Sequence, residues 1–174
     1  PWVGIKNFTF LFRSPDSWII IRNTILYNIV FIFLGTAFSV FIAILLNECS
    51  RKWQKRYQTL ILIPHLLSYV VVSYIAYAFL GAENGMINNQ ILRPLGLDPI
   101  SFYTEDKYWP FILVFVNIWK TFGYSSIIYF ASIIGIDRTY YEAAEVDGAS
   151  AWTQIWSITL PLLKPVLITM LLLS

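Results

Sequence analysis

The chain is short of charge, cysteine and histidine, and each shortage removes a class of function. Asp, Glu, Lys and Arg make up 13% of its 174 residues, against about a quarter in an ordinary soluble domain. Apolar residues make up 57%, too many to be covered by the polar groups present, so lipid is the expected solvent. The net charge of +2 is too small to imply nucleic acid, and no basic-aromatic face is present. Cys49 stands alone, which excludes an internal disulfide and any redox or metal framework built on cysteine. His65, the only histidine, has no partner at metal-ligand spacing and no Ser or Cys dyad. There is no Gly-x-x-x-x-Gly-Lys-Ser/Thr loop to cradle phosphates, no His-Glu-x-x-His and no Ser-His-Asp set. An enzyme is therefore not expected, and neither is ATP hydrolysis by this chain. Internal repeats and low-complexity tracts are also missing.

What is present is a series of long apolar runs. They extend over about 24–46, 59–80 and 108–134, and a fourth starts near Leu162 and stops at Ser174. Roughly 20 apolar residues cross ~30 Å of hydrocarbon as a helix. The runs are continuous rather than alternating, which argues against barrel strands. An all-α, multi-pass helical bundle is expected, with a single transmembrane domain over 1–174. Residue 1 is Pro, no signal-peptide pattern is read at the start, and the last run is cut short. The expectation is a piece of a longer membrane subunit with about three full spans.

Basic residues set the orientation. Arg51, Lys52, Lys55 and Arg56 follow the first run against Glu48 alone, and short basic loops stay cytoplasmic. The loop 81–107 is then expected outside, segment 135–161 returns to the cytoplasm, and 1–18 lies outside, which implies an earlier span unless the N-terminus is exported. Trp18, Trp53, Tyr57, Tyr108 and Trp109 fall at expected span ends, where amphipathic rings favour headgroups. Pro110 suits the first turn of a helix.

The predicted spans contain no Asp or Glu. Proton- and sodium-coupled carriers commonly place carboxylates there, so energy is expected to arrive from elsewhere. Lys120 lies near the middle of the third run, and Asn117, Lys120, Thr121 and Tyr124 share a helical face. Two readings stay open. The face lines a solute pathway, or Lys120 bonds backbone carbonyls at a subunit interface. Pro64 is expected to kink the second run, with His65 packing or hydrogen-bonding beside the kink. Tyr69, Ser73, Tyr74 and Tyr77 could add stacking and hydroxyl contacts to a cavity. Gly35, Ser39 and Ala43 recur every four residues, a close-packing face of the first span.

Segment 135–161 is amphipathic and charged. Asp137 can cap a helix from Arg138, and Gly148 can end it in a left-handed conformation. A second helix can begin at Ser150, with Trp152, Ile155, Trp156 and Thr159 on one face. The segment reads as helix, tight turn, helix, lying under the membrane. The plainer alternative is an interfacial helix that merely links two spans.

Glu142, Ala143, Ala144, Gly148, Ile158, Leu160 and Pro161, together with Asp147 and Ala149, resemble the signature of binding-protein-dependent ABC importer permeases. The pattern is Glu-Ala-Ala, three residues, Gly, nine residues, Ile-x-Leu-Pro. The Gly4-Ile5-x-Asn7-Phe8, Asn23-Thr24 and Asn84-Gly85-x-Ile87-Asn88 patterns resemble the carbohydrate branch. Pro64-His65-x-Leu67-Ser68, Trp119-Lys120 and Ile127-Ile128-Tyr129 are similar to permeases for oligosaccharides and complex sugars. The resemblance implies a subunit of a bacterial plasma (inner) membrane importer. ATP and Mg would be bound by partner ATP-binding subunits and no cofactor by this chain. The other partners implied are a second homologous permease, an external solute-binding protein, an oligosaccharide and membrane lipid. Glu142 would pair with a basic group on the ATPase, Ala143 and Ala144 would permit close packing, and Gly148 would allow the sharp turn. Asp147 and Pro161 complete the expected ATPase-coupling set. A secondary carrier or channel, or a permease of the same family for another small solute, is the alternative.

Overall fold

The computed structural model describes Gly4 and residues 14–173. Gly4 apart, the Gly4–Phe8 pattern lies outside the described residues, as does most of the stretch 1–18 expected on the outer side. Among the described residues the structure is helical and contains no strand.

Helix α1 covers Pro15–Glu48. Its 34 residues reach about 50 Å at 1.5 Å per residue, longer than the apolar run 24–46. The extension at its start carries Asp16, Arg22 and Asn23, and the Arg22 guanidinium donates to Asn23 Oδ1 at 3.3–3.4 Å. Polar residues can continue a helix past the hydrocarbon, so helix ends do not mark membrane boundaries.

The run 59–80, expected as one kinked span, is two helices. Helix α2 covers Arg51–Leu66 and α3 covers Tyr69–Leu80, with a 96° bend between them. Pro64 remains inside α2. The break falls after it, at Leu67 and Ser68, both extended. Ser68 Oγ accepts from the Val71 N–H at 3.3 Å and caps α3. Proline at 64 leaves the Leu60 carbonyl without its N–H partner, yet the helix continues to Leu66.

Loop 81–107 is organised around Asn88, which is fully buried. Its Nδ2 donates to the carbonyls of Gly81 (3.2 Å), Ala82 (3.1 Å) and Ile100 (2.9 Å), and its Oδ1 accepts from the Ile100 N–H at 3.0 Å. Gly85 must be glycine, since a Cβ there would lie 2.2 Å from the Gly81 oxygen. Helix α4, Trp109–Ile134, follows with Pro110 in its first turn.

Helix α5 covers Arg138–Val146. Helix α6, Ala151–Gln154, passes through a π segment, Ile155–Thr159, into α7, Leu160–Leu173. These form one span of 23 residues, Ala151–Leu173. The second limb of the elbow, which begins after Ser150 as expected, is therefore continuous with the helix that follows it. Pro161 has no N–H for the carbonyl four residues back. The backbone widens just before it, with the Leu160 N–H reaching back to the Ile155 carbonyl.

The core is small. Ala43 and Leu46 of α1, Tyr129, Phe130 and Ile133 of α4 and Leu163 of α7 meet at one end of the bundle. Ser39 Oγ contacts the Phe122 carbonyl at 3.4 Å. Ser39 and Ala43 are buried close-packing positions as expected, but Gly35 has open space where a Cβ would lie. Large side chains such as Trp18, Phe33, Phe111 and Phe115 remain exposed along the helices, which suits a chain solvated by lipid.

Candidate functional site

The elbow between α4 and α7 is built from local signals. Asp137 Oδ1 accepts from the Thr139 N–H at 3.0 Å and starts α5. That hydrogen bond holds the Asp137 carboxyl below the usual carboxylate range. The end of α5 is a Schellman turn: the Ala149 N–H reaches the Ala144 carbonyl at 2.8 Å and the Gly148 N–H reaches Glu145 at 3.0 Å. Gly148 has φ +77°, a conformation that costs other L-residues about 1–2 kcal/mol. Ser150 then caps α6 by accepting from the Thr153 N–H at 3.3 Å.

The two limbs are tied together. Tyr141 Oη and Thr159 Oγ1 lie 2.9 Å apart, and Gln154 Nε2 donates to the Ala149 carbonyl at 3.3 Å. Leu163, at 0% exposure, anchors the second limb in the core. A rigid stem therefore carries an exposed tip. Glu142, Ala143, Asp147 and Gly148 are exposed, Ala144 is half-buried and Pro161 is exposed further up the second limb. Sequence reasoning missed the apolar part of the tip. Val146 is 88% and Tyr140 57% exposed. An apolar residue left bare on an ordered turn was the available signal. Glu142 and Glu145 also line a hollow of about 910 Å³, opposite Glu48 and Arg51 at the α1–α2 corner.

The second candidate region is the break between α2 and α3. Lys120 is buried in α4. Its Nζ donates to the Leu67 carbonyl at 2.7 Å and the His65 carbonyl at 3.1 Å, and lies 4.6 Å from the centre of the Tyr69 ring. A lysine at mid-membrane costs roughly 2.5–3.5 kcal/mol on insertion scales, and these acceptors offset that. The His65 ring stacks on Tyr124 at 4.8 Å, the packing role expected of it. Of the proposed pathway face, Lys120 and Tyr124 meet around the break. Thr121 Oγ1 donates to the Asn117 carbonyl at 2.8 Å within its own helix. Tyr74 is exposed on α3. Tyr77, also exposed, lies beside Tyr103 of the loop at 5.8 Å. Gly123 was also missed. Its bare Cα lets α4 touch the backbone of α2 at Ile61.

Residues 21–174 match the family described as "Binding-protein-dependent transport system inner membrane component". The chain belongs to this family. Members similar to it include the polygalacturonan/rhamnogalacturonan transport system permease protein YteP of Bacillus subtilis (strain 168), 35% identical over 99% of this chain and 54% of YteP. Protein LplB of the same organism is 33% identical over 99% of this chain and 54% of its own length. The chain spans about half the length of these curated relatives. Among solved structures, a bacterial ABC transporter involved in the import of the acidic polysaccharide alginate superposes with a TM-score of 0.94 at 35% identity, over 99% of this chain and 60% of that one. The match places the chain within the inner membrane component of a transport system.

Proposed function

We propose that the chain forms part of the permease subunit of an ATP-driven, binding-protein-dependent importer for oligosaccharides. The observation that carries this reading is the elbow. A stem fixed by the Tyr141–Thr159 contact and by Leu163 presents a Schellman turn with Glu142 and a bare Val146 at its tip. A turn so rigid, joined without interruption to a membrane span, passes a push at its tip into that span. The pusher is a separate ATPase pair that binds ATP and Mg, placed on the cytoplasmic side by the basic corner Arg51–Arg56. Glu142 pairs with a basic group of the ATPase, and Val146 and Tyr140 fill an apolar notch in it.

A second permease and an external binding protein complete the assembly. Support for the latter comes from a solved alginate ABC transporter in complex with an alginate pentasaccharide-bound periplasmic protein, which matches this chain with a TM-score of 0.92 at 34% identity. Asn117, Thr121 and Tyr124, with Tyr74 and Tyr77 of α3, are proposed to border the sugar path. The acidic polysaccharides named for YteP and for the alginate transporter favour uronate-containing oligosaccharides as the substrate class.

The test is uptake by the full-length permease co-expressed with its ATPase, second permease and binding protein. Glu142→Lys is expected to insert normally, to lose the co-purifying ATPase and to abolish uptake of labelled oligogalacturonate. Full sugar-stimulated ATPase activity in an intact Glu142→Lys complex would count against the reading.

A further inference from the structure

We propose that Lys120 is a positioning residue: its ammonium holds the 96° bend between α2 and α3 and thereby fixes where α3 stands beside α4. This rests on the permease reading only for its transport readout. Helix α2 ends inside an apolar run, where its last carbonyls need partners. Lys120 supplies that end directly, at 2.7 Å to Leu67 and 3.1 Å to His65. It also brings a cation to the negative end of the helix dipole. An ammonium has three donors and no acceptor. Two are engaged by these carbonyls, and the Tyr69 ring, at the start of α3, lies against the charge at 4.6 Å. The lysine therefore touches both sides of the break.

Its neighbours on α4 complete a clamp. Gly123 and Tyr124 stand three and four residues on, on the same face. Gly123 meets the Ile61 backbone, and Tyr124 stacks on His65. Three positions of one helix thus hold the end of another. The start of helix α3 is capped by Ser68. Without the ammonium, the cheapest way to satisfy the carbonyls of His65 and Leu67 is to continue the helix. Leu67 and Ser68 would become helical, and α2 and α3 would straighten into one rod. On this account the ammonium is committed to the break, with two N–H groups on carbonyls and the charge against the Tyr69 ring, and its effect on transport is indirect.

Spin labels at Lys55→Cys and Phe79→Cys, in a Cys49→Ser background, measure the bend in the full-length complex reconstituted in vesicles. The label sites lie roughly 36 Å apart along a straight helix and roughly 10 Å closer across a right angle. Lys120→Met is expected to lengthen the distance by about 10 Å. Vmax should fall by about tenfold or more, equally for a labelled galacturonate trimer and for maltotriose, without a matching rise in KM. Lys120→Arg should restore both the distance and the uptake. If Lys120→Met keeps the short distance and loses only the acidic trimer through a raised KM, Lys120 is a ligand and the proposal falls. Should Lys120→Met fail to assemble, Lys120→Gln gives the same choice: a wild-type distance with selective loss of the acidic trimer overturns the clamp, and partial straightening supports it. A lengthened distance in a complex whose unmutated form transports no sugar would support the clamp while removing the importer reading.

Discussion

Gly123 and Ile61 touch backbone to backbone: a Cβ on Gly123 would lie 1.7 Å from the Ile61 carbonyl oxygen. This contact seats α4 against α2, one turn from the break that Lys120 caps. Gly123→Ala should force the two helices apart. Overpacking of this kind costs about 1–3 kcal/mol, and backbone has less room to yield than a side chain. The melting temperature of the purified complex should fall measurably, and an unchanged value would mean the helices do not approach this closely.

Asn88 joins the two ends of loop 81–107 through the carbonyls of Gly81 and Ala82 and both backbone groups of Ile100. Asn88→Leu leaves those groups buried without partners, at about 1–3 kcal/mol for an unsatisfied polar group. The loop should become several-fold more sensitive to protease added to the side it faces. Cleavage at the wild-type rate would contradict the central place given to Asn88.

Gly148 is the left-handed residue that ends α5. No atom beyond its chain neighbours lies within 4 Å of a Cβ built there, so the penalty is conformational and not steric. Gly148→Ala should cost about 1–2 kcal/mol and weaken coupling. Gly148→Val should insert normally yet uncouple ATP hydrolysis from uptake. The ratio of sugar transported to ATP hydrolysed is the quantity to measure, and an unaltered ratio in Gly148→Val would argue that the turn is not the handle.

The Asp137 cap has a pH signature. Its carboxyl is held below the ordinary value of 3.8 by the Thr139 N–H, so the folded state binds its proton less tightly than the unfolded state. The stabilisation is complete above the unfolded value and is lost as pH falls through the lowered, folded one. Amide exchange at Arg138 and Thr139 should therefore accelerate as pH drops below about 4, beyond the change in intrinsic exchange rate. Asp137→Ala should show the faster exchange already at neutral pH.

The elbow was legible because its signals are local. Asp137, Gly148 and Ser150 each act through the backbone within a few residues, and capping chemistry is written in consecutive positions. The second limb starts where Ser150 caps it, but its continuity was not legible. Pro161 reads as punctuation between a surface helix and a span, yet a π segment at Ile155–Thr159 absorbs its missing N–H and the helix runs on.

The break in the second span was only half legible. Pro64 pointed to a disturbance, but the chain bends at Leu67 and Ser68, where Lys120, more than 50 positions later, arrives to take the carbonyls of His65 and Leu67. Likewise Gly35, Ser39 and Ala43 look equivalent in sequence, yet the two later ones are buried and Gly35 is open.

By itself the sequence determined the solvent, the number of long apolar runs and the caps of the elbow, since these depend on composition and on near neighbours. Only the tertiary structure decided where a helix breaks inside the apolar region, which glycine becomes a contact and what a buried ammonium holds. Those outcomes depend on groups far apart in the chain that hydrocarbon compels to satisfy one another.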